Sequence, residues 1–209
     1  KLDTPTYQLE LQSNQQANNS QINRPVINMS SYMNQYGGCF AGTCEILMAD
    51  DTTQLVNTLK PGDIIKSDNK NTSVKCIVKI QTGGSIDMVH FDSGLLITPW
   101  HPIKQQNKWI FPANIGNSKK INCSEIYSIV LDTGFTSVNI NGIDCITLGH
   151  GIQDDPVATH KFWGENILTI LKKLPGWKKG FIELLPGCFT RCPDTGEVNG
   201  INCDKVITN

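Results

Sequence analysis

The sequence predicts an all-β domain of many short strands, preceded by an extended arm and followed by a segment with one helix. Three observations predict it. Short β-prone runs recur between residues 39 and 150, separated by turn signals. One of those turns, Asn141-Gly142, sits between two such runs and is a strong hairpin signal. A stripe of apolar residues at helical spacing lies only beyond them, in Glu165–Leu174.

Taken in order, residues 1–38 form the arm. Residues 8–35 hold twelve Asn or Gln and only two charges, Glu10 and Arg24, with no helical period. A strand at Tyr7–Leu11 is the one element expected there. Gly37-Gly38 gives a flexible approach to Cys39. The β domain covers 39–150, with strands expected at Glu45–Ala49, Ile64–Lys66, Val74–Ile80, Asp87–Phe91, Leu95–Thr98, Ile126–Leu131, Ser137–Ile140 and Ile143–Leu148. Pro61-Gly62-Asp63, Gly83-Gly84 and Ser93-Gly94 are among the turns that separate them. Residues 151–209 form a C-terminal extension. Its helix carries Ile167, Leu168, Leu171 and Leu174 on one stripe, with Lys172 and Lys173 in the last turn and Pro175-Gly176 as the stop. A strand near 180–185 and a loop-rich tail follow.

Bulk properties exclude several classes. Of 209 residues, 39% are hydrophobic and 18% charged, enough apolar material for a core. A net charge of −1 gives no electrostatic case for nucleic acid or an anionic membrane as partner. The chain begins Lys1-Leu2-Asp3, without Met, and reads as a fragment of something longer. Eight cysteines contain no CxxC pair, so neither a ribbon-type metal site nor a cofactor is expected. Cys188, Cys192 and Cys203 read as isolated thiols or one late disulfide. The expected compartment is the cytoplasm, with secretion as the alternative.

The chemistry concentrates in two places. Cys39 follows two glycines, so a thiol stands beside an unbulky peptide bond. Leu96-Ile97-Thr98-Pro99-Trp100-His101-Pro102 ends an apolar run with a Thr three residues before a His, which can aim a hydroxyl and an imidazole at one point. A planar amide is a poor electrophile, and moving the acyl group of Gly38 onto the Cys39 sulfur is uphill. Gly38 tolerates unusual backbone geometry, Cys39 supplies the nucleophile, His101 the acid-base group, and Thr98 a hydrogen bond to the scissile amide or its developing oxyanion. The blander reading makes Cys39 a buried thiol, Thr98 a strand residue and His101 a structural His.

These residues, in this order, carry a resemblance. Gly38-Cys39-Phe40-Ala41-Gly42-Thr43, Leu59-Lys60-Pro61-Gly62-Asp63, Ile97 to Pro102 and then Trp109 resemble the Hint domains of Hedgehog autoprocessing proteins and inteins. Ile126 to Leu131 followed by Thr136 to Ile143 resembles the penultimate conserved block of inteins. Thr147-Leu148-Gly149-His150-Gly151 and His160-Lys161-Phe162-Trp163-Gly164 resemble the Vint variety, which is attached to von Willebrand A domains. The resemblance implies a horseshoe-like Hint fold and a single-turnover, cysteine-dependent N–S acyl shift at the Gly38–Cys39 bond, giving cleavage or ligation. It implies Cys39, Thr98 and His101 as catalytic residues. Cys145 stands at the late cysteine of Hedgehog domains, as a redox latch with Cys39, an aid to the chemistry or a packing residue. His150 stands where inteins place the His before their terminal Asn, an auxiliary position. Gly151 replaces that Asn, so splicing to completion is not expected. The Gln81-Thr82-Gly83-Gly84 turn lacks the acid that sterol transfer needs. The implied partners are the upstream segment of the same polypeptide, a von Willebrand A domain being one such segment, and a small nucleophile or amine acceptor. The competing reading is a degenerate Hint module with a structural or binding role. A papain-like hydrolase is disfavoured by the absence of a helix after Cys39.

Overall fold

In the computed structural model, which describes residues 38–208, all eight runs read as strands are paired as strands. The arm over 1–37, with its strand at Tyr7–Leu11, lies outside the described residues. In chain order the strands are β1 (Phe40–Ala41), β2 (Glu45–Leu47), β3 (Thr53–Leu55), β4 (Ile64–Ser67), β5 (Lys70–Gln81), β6 (Ser85–His90), β7 (Leu96–Ile97) and β8 (Ile103–Gln105). They continue with β9 (Lys108–Ile110), β10 (Ser118–Asn122), β11 (Glu125–Leu131), β12 (Ser137–Ile140) and β13 (Ile143–Ile146). A π-helical stretch, Phe162–Asn166, then runs into α1 (Ile167–Leu171). The chain closes with β14 (Phe181–Leu184), β15 (Phe189–Arg191) and β16 (Val198–Ile201).

Two sheets carry the fold. The larger runs β10-β6-β7-β1-β11-β5-β14, with β4 paired to the start of β5. The smaller runs β3-β2-β12-β13-β8-β9. β5 is 12 residues long and serves both ends of its sheet: Lys70–Ser73 pair with β4, and the stretch from Val74 on pairs with β11. Its run Val74-Lys75-Cys76-Ile77-Val78 is β-prone and buried at four of five positions, as suits a strand flanked on both sides.

Turn chemistry fixes the hairpins. Asn141-Gly142 takes positive φ at both residues (49° and 79°), the type I′ geometry that matches strand twist. Asp68-Asn69 (46° and 61°) and Gln106-Asn107 (49° and 62°) do the same without glycine, which Asn tolerates better than most residues. The second of these explains β8 and β9, strands the sequence pattern does not announce. β10 is also unannounced. It is a lysine-bearing edge strand with one half-buried residue, so it has no apolar alternation to read.

The C-terminal extension shares the core. β14 pairs parallel to β5, Ile182 opposite Val78, and Ile182 and Leu184 are fully buried. The expected helix begins earlier, at the π-helical stretch, and its regular part ends at Leu171. Ile167, Leu171 and Leu174 are buried as the stripe predicts, while Leu168 is half-buried against the strand-side loop. That loop must be glycine at 149: φ is +71°, and a Cβ there would lie 2.4 Å from Leu168 Cγ. The tail read as loops contains the antiparallel β15–β16 pair.

Candidate functional site

β1 leaves directly from Cys39, and it lies between β7 and β11 (Phe40 opposite Ile97 and Tyr127). This pairing carries the Cys39 backbone to Thr98 on one side and to Ser128 on the other. Thr98 N–H donates to the Cys39 carbonyl at 2.9 Å, and the Thr98 hydroxyl donates to the same carbonyl at 3.2 Å. Cys39 N–H, the amide proton of the bond between Gly38 and Cys39, donates to Thr98 Oγ1 at 3.1 Å. Thr98 therefore brackets the nitrogen side of that bond.

The turn after β7 brings His101 back. His101 N–H donates to the Thr98 carbonyl at 3.2 Å across Pro99-Trp100, a turn that proline pre-sets. The imidazole stacks on Phe40 (centroids 5.5 Å apart, planes at 27°) and lies against Gly38. Its Nε2 is 2.7 Å from the Ile146 carbonyl. A carbonyl only accepts, so in the neutral ring Nε2 carries the proton and Nδ1 the lone pair. Nδ1, buried, makes no hydrogen bond among the described residues.

The carbonyl side of the same bond is held by a residue that the sequence reading did not single out. Ser128 Oγ donates to the Gly38 carbonyl oxygen, and it lies 3.3 Å from Cys39 Sγ. With the hydroxyl proton given to Gly38, the thiol proton points to Ser128 Oγ. One side chain thus links the sulfur to the carbonyl oxygen beside it. A signal existed: Ser128 is the polar residue inside Ile126-Tyr127-Ser128-Ile129-Val130-Leu131, and it is buried, so its hydroxyl needed a partner.

Burial sets the protonation states. It pushes the Cys39 thiol up to about 12, against the lowering hydrogen bond from Ser128. It pulls His101 down to about 4, partly offset by the Ile146 carbonyl and the nearby Cys39 backbone. Both groups are therefore neutral in the resting molecule at pH 7; there is no preformed thiolate–imidazolium pair.

Cys145 lies on β13, fully buried, its thiol 3.5 Å from the Ile143 carbonyl and within electrostatic reach of Cys44. The thiols that act electrostatically on Cys39 are Cys188 and Cys123. His150 accepts from Ile152 N–H through Nδ1 at 3.0 Å and packs on Gly164, whose missing Cβ would lie 3.2 Å from the ring. Burial pulls it to about 4, with His160 and His101 adding to the effect. His90 is exposed. All eight cysteines are free thiols, and no metal-binding cluster occurs among the described residues.

The family's sequence model matches residues 38–200, so it starts at the glycine of the bracketed bond and takes in the extension. The chain belongs to the Vint family of Hint domains. Solved structures similar to this Vint domain include the gp41-1 intein, with 11% identity over 53% of this chain and 99% of that one, at a TM-score of 0.42. A DnaB intein from Synechocystis sp. PCC 6803 shows 12% identity over 53% of this chain and 98% of that one, at 0.43. A bacterial intein-like domain from Clostridium thermocellum shows 14% identity over 52% and 97%, at 0.43. No curated protein matches this Vint domain. No helix among its described residues is long and apolar enough to cross a membrane.

Proposed function

We propose that this domain cuts its own chain at the Gly38–Cys39 bond through an N–S acyl shift. Membership of a Hint family supports a self-processing domain in general. The finer reading rests on one observation: Ser128 joins Cys39 Sγ to the Gly38 carbonyl oxygen, while Thr98 holds the amide proton on the other side of the bond.

Cys39 Sγ attacks the Gly38 carbonyl carbon, and the charge that builds on oxygen is met by the Ser128 hydroxyl. The thiol proton passes to His101 Nδ1, the one imidazole nitrogen with a free lone pair, and from there to the Cys39 nitrogen as the C–N bond breaks. Thr98, by holding N–H, fixes which face of the nitrogen receives it. The C–S bond replaces the C–N bond, the sulfur proton ends on nitrogen, and the Cys39 amine is freed. A second nucleophile then releases residues 1–38. Because both groups start neutral, proton transfer must accompany C–S bond formation, and the thioester is a minor species until something drains it.

In this reading 1–38 is the departing arm, 39–150 carries the chemistry and 151–209 buttresses it. The partner is the upstream part of the same polypeptide; the resemblance to Hint domains joined to von Willebrand A domains makes such a domain a candidate cargo. A reducing cytoplasm suits a site that needs a free thiol. Intact mass of the reduced protein, with and without dithiothreitol or hydroxylamine, tests the proposal. A fragment ending at Gly38 that disappears in Cys39→Ala supports it; an uncut chain after prolonged treatment supports an inert module instead.

A further inference from the structure

Where Gly149-His150-Gly151 passes the loop over 132–135, the chain leaves a partly enclosed cavity of about 210 Å³. That is below the roughly 300–1,000 Å³ of pockets for drug-sized ligands, so it suits a body of about one ring. Phe135, Leu168 and Trp177 line it, and each is half-buried against the core, so each still has apolar surface to lose to a ligand. Leu148 and His150 line it too, and both also line a smaller cavity of about 40 Å³ beside Gly38 and His101. Gly38, Cys39 and His101 are not on the lining of the larger one, so an occupant there sits off the bond proposed to be cut.

Two cations line the larger cavity, Lys75 within β5 and Lys172 just after α1. Both are exposed, and neither makes an ion pair among the described residues. Two like charges at one cavity repel, and an anion between them relieves that repulsion. Asp132 is the one acid among the described lining residues, and Ser73 Oγ donates to its carboxylate at 2.5 Å. Two ammonium groups against one carboxylate leave a single positive charge, which a monoanion cancels and a dianion overshoots. A backbone donor stands with them. The N–H of buried His150 has no acceptor among the described residues, whereas the N–H groups of Gly149 and Gly151 go to the carbonyls of Trp163 and Gly164.

We infer that this cavity is a binding site for a small carboxylate carried on a flat apolar body. The inference does not depend on the acyl shift described above. The carboxylate accepts from the Lys75 and Lys172 ammonium groups and from His150 N–H, and the ring lies against Phe135 and Trp177. An ammonium on the same ring meets two like charges and loses its hydration without a free partner. An alcohol on the same ring keeps the apolar contact but brings no charge to the lysines.

The test uses the full, reduced chain carrying Cys39→Ala, so that binding is read without cleavage. Phenylacetate, 2-phenylethanol, 2-phenylethylamine and phenyl phosphate are titrated into it by isothermal titration calorimetry. The expected result is one phenylacetate per chain, bound at least about tenfold tighter than the alcohol or the amine. Lys75→Gln and Lys172→Gln should each weaken phenylacetate about threefold, as for a solvent-exposed ion pair, and together about tenfold. Neither should change the affinity for 2-phenylethanol, and an unchanged thermal midpoint shows that each variant is folded. No saturable phenylacetate binding up to about 10 mM overturns the site, since a well-seated ligand of about ten heavy atoms is bound by then. Acid binding no tighter than alcohol binding, or unmoved by the double lysine variant, overturns the charge recognition. Phenyl phosphate binding more tightly than phenylacetate overturns the choice of a monoanion. Each of these outcomes leaves self-processing at the Gly38–Cys39 bond to its own test.

Discussion

Gly38 lies against the face of His101 so closely that a Cβ on residue 38 would sit 2.7 Å from His101 Cγ and 2.9 Å from Nδ1. The ring cannot slide away, because it is stacked on Phe40 and tied to the Ile146 carbonyl. The bond proposed to be cut is thereby in bare contact with the imidazole proposed as its acid-base group, and glycine is required there for space. Gly38→Ala should therefore slow thiol-induced cleavage by about tenfold or more, since small misplacements of a reacting pair are costly. The rate of fragment release in dithiothreitol checks this; an unchanged rate would mean that the ring does not rest on residue 38.

Ser128→Ala should slow the same release by about 10²-fold, in the range seen for loss of one oxyanion donor. The variant keeps the Cys39 thiol and the strand pairing, so alkylation of Cys39 in unfolded samples and an unchanged thermal midpoint separate a chemical effect from a folding one. Release at the wild-type rate would remove Ser128 from the mechanism.

The contrast between His101 and Ser128 shows what the sequence could and could not say. Thr98 and His101 are linked by a local turn, so their partnership is written in three residues and a proline. Ser128 meets Cys39 across 89 residues, through a pairing of β1 with β11 that depends on register alone. A β-prone run between turn signals located β11 but gave no way to tell which strand would lie beside it. The same holds for the extension. The stripe of Ile167, Leu171 and Leu174 was legible, and so was a strand near 180–185; its parallel seat against β5 was not. β8 and β9 were hidden because Gln106-Asn107 makes a tight turn without the glycine that advertises one.

Stability should fall on mild acidification. Burial holds His101, His150 and His160 at about 4 in the folded protein, against about 6.5 for a free imidazole. As pH falls through about 6.5 the unfolded chain takes up protons that the folded chain refuses, so protons favour unfolding. The contribution is complete above about 6.5, declines progressively below it, and levels off near 4, where the folded rings titrate too. Glu125, held low by the Lys79 ion pair, adds a loss of the same sign at lower pH. With each kcal/mol worth about 2–4 °C in a chain of this size, thermal midpoints should drop by at least about 5 °C between pH 7.5 and 5. A flat profile over that window would show that these rings are not kept neutral by the fold.

Leu171 tests whether the extension and the β domain are one cooperative unit. Its side chain is fully buried in the core that also holds Val78, Ile80 and Leu184, and with them, Trp163 and Ser128 it lines one small cavity. Truncation there removes apolar contacts that join α1 to the sheet carrying the site. Leu171→Ala should cost about 2–5 kcal/mol, the usual range for a buried Leu. In urea the variant should still unfold in a single transition with an unchanged slope, at a lower midpoint, because the extension and the sheet share their core. Cleavage at the Gly38–Cys39 bond should weaken with it, since α1 backs the face on which Ser128 stands. Two separate transitions, or a stability loss that leaves cleavage at the wild-type rate, would mean that residues 151–208 are an appendage and that the sheet organises the site without them.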